Sequence, residues 1–209
     1  MADMGAFRDA VTSWAAGSPG GPAGALAGEL AARVGVRTAV LLEGPSDLAA
    51  VEALAARHGR DLSAEGICAL PMGGAMSVGR YAGLLGPTGL GLRLAGLCDE
   101  REQPFYDRGL ERARAPRHGV FVCVSDLEDE LIRALGVPRV ERIVQAEGDL
   151  QAWRIFERQP AQQGRPPQQQ MRRFLGTKRG RKIRYGRLLV EALEPEQVPA
   201  PLDRLLASL

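Results

Sequence analysis

The chain has 209 residues, of which 45% are hydrophobic and 25% are charged. These proportions are ordinary for a folded globular protein and exclude a wholly disordered chain. No apolar run approaches the ~20 residues that a membrane-spanning helix needs, and the first residues lack the pattern of a secretory signal. The three cysteines, Cys68, Cys98 and Cys123, have no CxxC spacing, which favours buried thiols in a reducing cytoplasm over disulfides or a zinc site.

The net charge is only +2, but charge is distributed unevenly along the chain. Eight basic residues and no acidic residue lie between Met171 and Arg187, so the rest of the chain is acidic on balance. A basic block beside an acidic body indicates a polyanionic partner that is held near carboxylate groups.

In chain order, the sequence predicts a helical N-terminal extension followed by alternating strands and helices. Residues 1–36 favour two helices, over 6–16 and 23–34, separated by a Gly- and Pro-rich stretch at 17–22. Continuous apolar runs of strand length recur from residue 37 and alternate with segments of helical periodicity. The predicted strands are 38–42, 67–70, 94–98 and 120–124, with 143–145 as a short fifth, and the predicted helices are 48–58, 76–85, 105–113 and 126–135.

Strands that are apolar throughout indicate a parallel sheet covered by helices on both faces. The C-terminal part differs in composition: residues 159–170 (QPAQQGRPPQQQ) predict a flexible loop, and the basic part that follows predicts helices over 183–193 and 202–209. We therefore divide the chain into four parts: the N-terminal extension (1–36), an α/β core (37–158), the Gln/Pro-rich loop (159–170) and a basic, helical part that completes the domain (171–209).

Carboxylates follow three of the predicted strands. They are Glu43 and Asp47 after the first strand, Asp99, Glu100 and Glu102 after the third, and Asp126, Glu128, Asp129 and Glu130 after the fourth. In a parallel sheet these groups share one edge, where ligands usually bind. Crowded carboxylates repel one another, and a hard divalent cation such as Mg²⁺ or Mn²⁺ removes that cost.

An ordinary structural role competes with metal binding at some of these positions. Acidic residues cap helix N-termini and complement the helix dipole, and this explains Asp47, Asp126 and Asp129 at least as well as a metal does. It explains Glu43 and Asp99 less well, because each ends a strand before its helix begins. The metal hypothesis therefore depends mainly on Glu43 and Asp99.

Three segments together resemble the TOPRIM domain, which is found in topoisomerases, bacterial primases and some nucleases. They are Glu43-Gly44-Pro45-Ser46-Asp47, Pro71-Met72-Gly73-Gly74 and Leu97-Cys98-Asp99-Glu100. A later acidic segment at 124–131 and Gly180-Arg181-Lys182 before a helix make the chain most similar to the nuclease part of overcoming-lysogenisation-defect (OLD) proteins. The resemblance covers residues 37–193, and the ATPase domain that usually precedes this region is expected to be absent because the chain has no GxxxxGKS/T motif.

The resemblance implies an α/β fold, with a Rossmann-like parallel sheet of about four strands and helices on both faces. It implies that residues 37–158 form a catalytic core, and that the protein cuts DNA phosphodiester bonds with one or two Mg²⁺ or Mn²⁺ ions. By position in the motifs, Glu43, Asp47 and Asp99 match the family's metal-binding, catalytic acids. Asp126 and Glu128 match the later acidic pair. Lys182 matches the lysine near the scissile phosphate, with Lys178 as the alternative.

One departure from the family pattern affects the site. The family usually has a second Asp two residues after the first, and Arg101 stands there in this sequence. Either Glu102 or Glu100 replaces the missing ligand, or one metal site is weakened and the protein binds without cutting. A third alternative is a small receiver-like α/β domain that holds one Mg²⁺, but the basic block has no role there.

The basic block predicts contacts with the DNA backbone. The predicted contact residues are Arg172, Arg173, Lys178, Arg179, Arg181 and Arg184. The alternative is a solvated charged surface. The block has few aromatic residues, so base stacking is not indicated there. A separately encoded ATPase and self-association are further predicted partners, and no membrane partner is expected.

Overall fold

The computed structural model describes residues 2–17 and 21–209, apart from the side chains of Ala2 and Arg179. Part of the predicted Gly- and Pro-rich break, residues 18–20, lies outside these ranges. The described residues form a parallel sheet with the strand order β2-β1-β3-β4. The strands are β1 (Thr38–Leu42), β2 (Ile67–Pro71), β3 (Arg93–Asp99) and β4 (Val120–Cys123). The predicted α/β fold is confirmed.

Helices surround the sheet on both faces. Their bounds are α1 (Ala2–Ala16), α2 (Pro22–Val34), α3 (Pro45–Arg57), α4 (Val78–Leu85), α5 (Gln103–Arg112), α6 (Leu127–Leu135), α7 (Val137–Ala146), α8 (Leu150–Glu157), α9 (Pro167–Leu175), α10 (Arg179–Glu191) and α11 (Ala200–Ser208). Short 3₁₀ turns lie between several of them. No described helix has the length and apolarity that crossing a membrane requires.

The strands are apolar throughout because each sheet face has its own core. Along β1, Val40 and Leu42 pack into one core with residues of α3, α6 and the C-terminal helices. Ala39 and Leu41 point the other way, into a second core with residues of α1, α2, α4 and α5. Successive strand residues alternate between faces, so burial on both sides leaves no polar alternation in the sequence. All three cysteines are buried and free, as predicted.

The predicted fifth strand at 143–145 is wrong, because these residues lie in α7. Val140 and Val144 are both fully buried and stand four residues apart, which is one helical turn. The short apolar run at 143–144 therefore belongs to a helical pattern with polar residues in between.

The predicted loop at 159–170 is wrong in its second half, where α9 begins at Pro167. Proline suits the first helical turn, and glutamine is a good helix former. The segment is also held by its own amides: the Gln170 Nε2 donates to the carbonyl oxygens of Gln162 and Arg165. Gln162 is buried. Likewise, α10 begins at Arg179 rather than at residue 183, so most of the basic block is helical.

Helix α10 packs closely on the start of α3. A Cβ atom at Gly186 would lie 2.6 Å from the backbone oxygen of Ser46, too close for any side chain. This close approach brings the N-terminal half of α10, with Lys182, to the same end of the sheet as Glu43 and Asp47.

Candidate metal centre at the carboxyl edge of the sheet

Glu43 leaves β1 at the centre of the sheet edge. The Met72 N–H donates to the Leu42 carbonyl, and the Gly74 N–H donates to the Glu43 carbonyl at 3.0 Å. These bonds extend the β1–β2 pairing past the end of the strands. Gly74 has φ +122°, a conformation that is essentially restricted to glycine. The Pro71–Gly74 segment therefore fixes the backbone from which the Glu43 carboxylate projects.

A tight turn after β3 brings two more carboxylates to the same place. Asp99 ends β3, and the Glu102 N–H donates to the Asp99 carbonyl at 2.9 Å. Glu43, Asp99 and Glu102 each offer a carboxylate oxygen, and these atoms lie within 4.8 Å of one another. We call these three residues the strand-end triad. The neighbouring Glu100 and Arg101 are exposed.

Crowding and burial make the triad difficult to ionise. Burial raises the pKa of Glu43 to about 7, with a further contribution from the neighbouring Glu102. Burial, followed by the charges of Asp126 and Glu43, raises the pKa of Asp99 to about 8. Groups that resist ionisation without a cation are those that a cation would stabilise most.

A further observation supports the binding of a divalent cation by the triad. The Oε2 atom of Glu102 is buried and has no hydrogen-bond partner among the described residues. Buried polar atoms are normally satisfied, and the carboxyl groups of Glu102 and Glu43 lie so close that they need a shared proton or a cation between them. Oxygen donors of this kind suit Mg²⁺ or Mn²⁺.

Asp47 caps the N-terminus of α3, which is one of the two roles that the sequence left open for it. Its Oδ2 accepts a hydrogen bond from the Gly44 N–H at 2.9 Å, which closes the first turn of α3. Burial nevertheless raises the pKa of Asp47 to about 6, against the opposing effects of this hydrogen bond and of Lys182. Asp47 is therefore a cap that also adds a carboxylate beside Glu43.

Asp126 and Glu128 lie at the start of α6, and we call them the helix-start pair. Asp126 is the N-cap and accepts the Asp129 N–H at 2.8 Å. Its other oxygen is bound by the guanidinium of Arg172. Glu128 is buried and lies 3.3 Å from the Lys182 Nζ. Burial raises the pKa of Glu128 to about 7 even though Lys182 acts in the opposite direction.

Lys182 stands between the two carboxylate groups. Burial works against its charge, but Glu128 and Asp47 together raise its pKa above the ordinary value. Its charge also lowers the pKa of Glu43. Lys182, Asp126, Glu128, Arg172, Arg173 and Gly176 line a cleft of about 340 Å³. This cleft is large enough for a phosphate group and carries both signs of charge.

The prediction that Arg181 contacts nucleic acid is wrong. Its side chain is buried, donates to Asp149 and Thr177, and lies 4.1 Å over the ring of Phe174. Burial alone would raise the pKa of Asp149, but hydrogen bonds from Arg181 and Tyr185 lower it. Arg181 is thus an internal anchor that holds α10 to the start of α8.

The other basic residues differ in how strongly they are held by the chain. Arg184 is half-buried and pairs with Asp149 and Glu147, and Arg172 pairs with Asp126. Arg173 and Lys178 are exposed. The side chain of Arg179, another predicted contact, lies outside the described residues. Sequence reasoning missed the Arg172–Asp126 and Arg181–Asp149 pairs, because their partners are 46 and 32 residues apart and follow no local pattern.

Comparisons with known proteins agree with this geometry. Residues 36–100 match the sequence model of the overcoming lysogenization defect protein-like TOPRIM domain. This match confirms the predicted TOPRIM resemblance over that part of the chain, which carries Glu43, Asp47 and Asp99. It supports a role of the nuclease type.

Solved structures with a similar fold include the C-terminal regions of two OLD proteins. The C-terminal region of the Burkholderia pseudomallei OLD protein is similar with a TM-score of 0.61 and 21% identity, over 83% of this chain and 96% of that one. The C-terminal region of the Xanthomonas campestris pv. campestris OLD protein is similar with a TM-score of 0.59 and 23% identity, over 82% and 93%. These likenesses show a shared fold. A comparison with curated proteins gave no match.

Proposed function

We propose that this protein is a divalent-cation-dependent nuclease that hydrolyses phosphodiester bonds in DNA. The observation that carries the proposal is the strand-end triad: three crowded carboxylates, one with an unpartnered buried oxygen, at the edge where parallel sheets bind ligands. The TOPRIM match over residues 36–100 supports the same activity.

Glu43, Asp99 and Glu102 would hold Mg²⁺ or Mn²⁺. A bound cation in such a site activates a water molecule and stabilises the leaving oxygen. In this arrangement Glu102 takes the place of the second Asp of the family motif, because the turn at Asp99 returns its carboxylate to the triad. Asp47, with a pKa of about 6, is suited to accept a proton near neutral pH.

Lys182 would stabilise the charge that develops on the phosphate. It acts on both sets of carboxylates, since it bonds Glu128 and its charge lowers the pKa of Glu43. Preorganised positive charge at the reacting phosphate is the main protein contribution in phosphoryl transfer.

The helix-start pair would hold a second cation once its basic partners move. In the structure Arg172 neutralises Asp126, and Lys182 neutralises Glu128. A DNA phosphate in the cleft would attract both basic groups and expose the carboxylates. Arg172, with Arg173, Lys178 and Arg184, would then contact the backbone, and the affinity would fall as salt rises.

A non-cleaving module that binds nucleic acid or a partner protein is the second candidate. The internal pairing of Asp126 and Glu128 favours it, because a permanently neutralised pair leaves at most one cation site. A separate ATPase or a second copy as a partner, and a cytoplasmic location, stay predictions from the sequence.

Incubation with supercoiled plasmid in Mg²⁺ or Mn²⁺ separates the two candidates. We expect metal-dependent nicking that Glu43→Gln lowers by at least about 10³-fold, because a lost ligand removes several kcal/mol of cation stabilisation. The exposed neighbour Glu100→Gln is the matched control and should keep full activity. Lys182→Met should lower the rate at saturating DNA by ~10²–10³-fold, whereas the exposed Lys178→Met should weaken DNA binding and leave that rate unchanged.

The nuclease proposal fails if purified wild-type protein retards DNA but leaves it uncut with either cation. It also fails if the nicking survives in Glu43→Gln, since that activity would come from a contaminant.

A further inference from the structure

Three large apolar side chains are exposed at the same edge of the sheet as the strand-end triad. Met76 is 84% exposed, Val124 is 55% exposed and Phe105 is 37% exposed. They follow β2, β4 and β3, so all three lie at the carboxyl edge of the sheet. We call them the apolar rim. The other exposed large apolar residues of the described chain, Leu26 and Ile155, lie on α2 and α8.

The segments that carry Met76 and Phe105 form backbone hydrogen bonds with acidic residues of the triad. Met76 lies two residues after Gly74, whose N–H bonds the Glu43 carbonyl. The Phe105 N–H donates to the Glu102 carbonyl at 2.8 Å. The backbone that carries Met76 and Phe105 is therefore tied to the backbone that carries Glu43 and Glu102.

Val124 lies beside a residue with an unusual backbone conformation. Its N–H donates to the Glu130 carboxylate at 2.9 Å, and the next residue, Ser125, has φ +73°. A non-glycine residue in this region costs of the order of 1 kcal/mol and tends to occur at functional sites. The strained turn presents Val124 to solvent directly before the N-cap Asp126.

Phe105 also has a charged neighbour. The guanidinium of Arg108 lies 5.0 Å from the centre of the Phe105 ring, within cation–π range. An aromatic ring with an arginine beside it can bind a base and its phosphate together, as proteins that bind single strands do.

We propose that the apolar rim binds unstacked bases next to the phosphate in the triad, so that the preferred substrate is single-stranded or locally unpaired DNA. This inference rests on the proposed function and names its substrate class. In a duplex the base faces are covered by stacking, and only an unpaired strand can offer them to Met76, Phe105 and Val124.

A protein partner is a poorer occupant of the rim. An apolar protein surface over the rim would also bury the crowded carboxyl groups of the strand-end triad without offering them a partner, which is unfavourable. Charged groups are accordingly rare in the cores of protein interfaces. A DNA strand avoids this cost, since its phosphates arrive with the cations that the triad attracts.

The test uses the full chain carrying Glu43→Gln to prevent cutting, and measures fluorescence anisotropy with a labelled 20-nucleotide single strand and with a blunt hairpin duplex. The rim variant is Met76→Ser, Phe105→Ser, Val124→Ser, and the matched control is Leu26→Ser, Ile155→Ser. We expect the rim variant to bind the single strand at least about tenfold more weakly, because it loses the base stacked on Phe105 and the apolar contacts of Met76 and Val124. Duplex binding, and both affinities of the control, should stay within about twofold.

A second readout reports the contact directly. A 2-aminopurine base in the single strand should be quenched by the Glu43→Gln protein and not by the rim variant. Equal losses of single-strand and duplex affinity, or no loss, overturn the inference. So does a change of mass in light scattering from dimer to monomer in the rim variant, which would make the rim an interface between copies.

The inference and the proposed function can fail separately. If the wild-type protein nicks plasmid but the rim variant binds single strands as well as before, the nuclease proposal stands and the inference about the rim is rejected. If single strands bind in a rim-dependent way but no metal-dependent cutting occurs, the nuclease proposal is rejected and the rim stands as a binding surface.

Discussion

The strand-end triad and the helix-start pair are both acidic, but they differ in whether basic side chains of the chain pair with them. Asp126 and Glu128 have basic partners on α9 and α10, namely Arg172 and Lys182. No ion pair links Glu43, Asp99 or Glu102 to a basic group among the side chains that the structure describes. The chain therefore supplies basic partners to one set of carboxylates and not to the strand-end triad, which is the set that we propose binds a cation.

This difference follows from where each group sits in the fold. The triad projects from β1 and β3, the two central strands, where neighbouring loops supply backbone N–H groups and apolar tips. The pair sits at the start of α6, which packs against α9 and α10, the helices of the basic block. A carboxylate at a central strand end is thus a stronger indication of a metal than one at a helix start.

The largest expected effect is on stability as a function of pH without metal. The carboxyl groups of Glu43, Asp99 and Glu128 keep their protons in the folded chain at pH values where the unfolded chain has lost them. Unfolding therefore becomes easier as pH rises from about 4 to about 8. For the buried Glu128 alone the free energy of unfolding should fall by on the order of 3 kcal/mol.

Urea unfolding in EDTA at pH 5 and pH 8 measures this loss, and added Mg²⁺ at pH 8 should reverse part of it. If the comparison is right, Asp99→Asn abolishes the Mg²⁺ effect and Glu128→Gln retains it. The opposite result would place the first cation at the helix-start pair.

A smaller effect is expected when α10 is pushed away from α3. In Gly186→Ala the new Cβ would meet the Ser46 backbone oxygen at 2.6 Å. Overpacking of this kind costs about 1–3 kcal/mol, and it also displaces Lys182, one helical turn earlier. We expect a lower urea midpoint and slower nicking.

Gly180→Ala, in the same helix, is the matched control, because its Cβ would meet nothing within 4 Å. Alanine there should be neutral or stabilising by up to ~1 kcal/mol. Equal stability of the two variants would mean that α10 does not approach α3 as described.

The smallest effect is expected at the pair itself. Arg172→Gln removes the positive charge beside Asp126, so Mn²⁺ should bind a second site roughly fivefold more tightly in the absence of DNA, a change of about 1 kcal/mol. Mn²⁺ titration followed by electron paramagnetic resonance measures it. Arg158→Gln, at an exposed residue that does not line the cleft, should leave the titration unchanged, and an unchanged Arg172→Gln would mean that the pair binds no cation.

Prediction from sequence succeeded where the pattern was long and local. The run in β1 was recognised because a strand buried on both faces is apolar throughout, and β4 was recognised by its apolar run although it is only partly buried. Prediction failed where the pattern was short or ambiguous. Residues 143–145 look like a strand by themselves, and only Val140 and Val144 together reveal the helical period. Residues 168–170 are glutamines and were predicted as a loop because the buried apolar residues of α9, Met171, Phe174 and Leu175, all come after them.

The candidate site shows the same division. The sequence identified Glu43 and Asp99, because an acid that closes an apolar strand has few other uses. It placed Glu102 ahead of Glu100 as the substitute ligand, and the turn after Asp99 brings Glu102 into the triad while Glu100 is exposed. It counted Arg172 and Arg181 as free cations, whereas Arg172 pairs with Asp126 and Arg181 is buried against Asp149.

Composition and local periodicity thus determined the class of fold, the edge of the sheet that carries the acids, and the presence of a basic block. The tertiary structure alone decided which charges neutralise each other and which apolar tips surround the acids. The physical reason is that the strength of an ion pair or the exposure of a side chain depends on distances between residues far apart in the chain, and those distances exist only after the helices have packed onto the sheet.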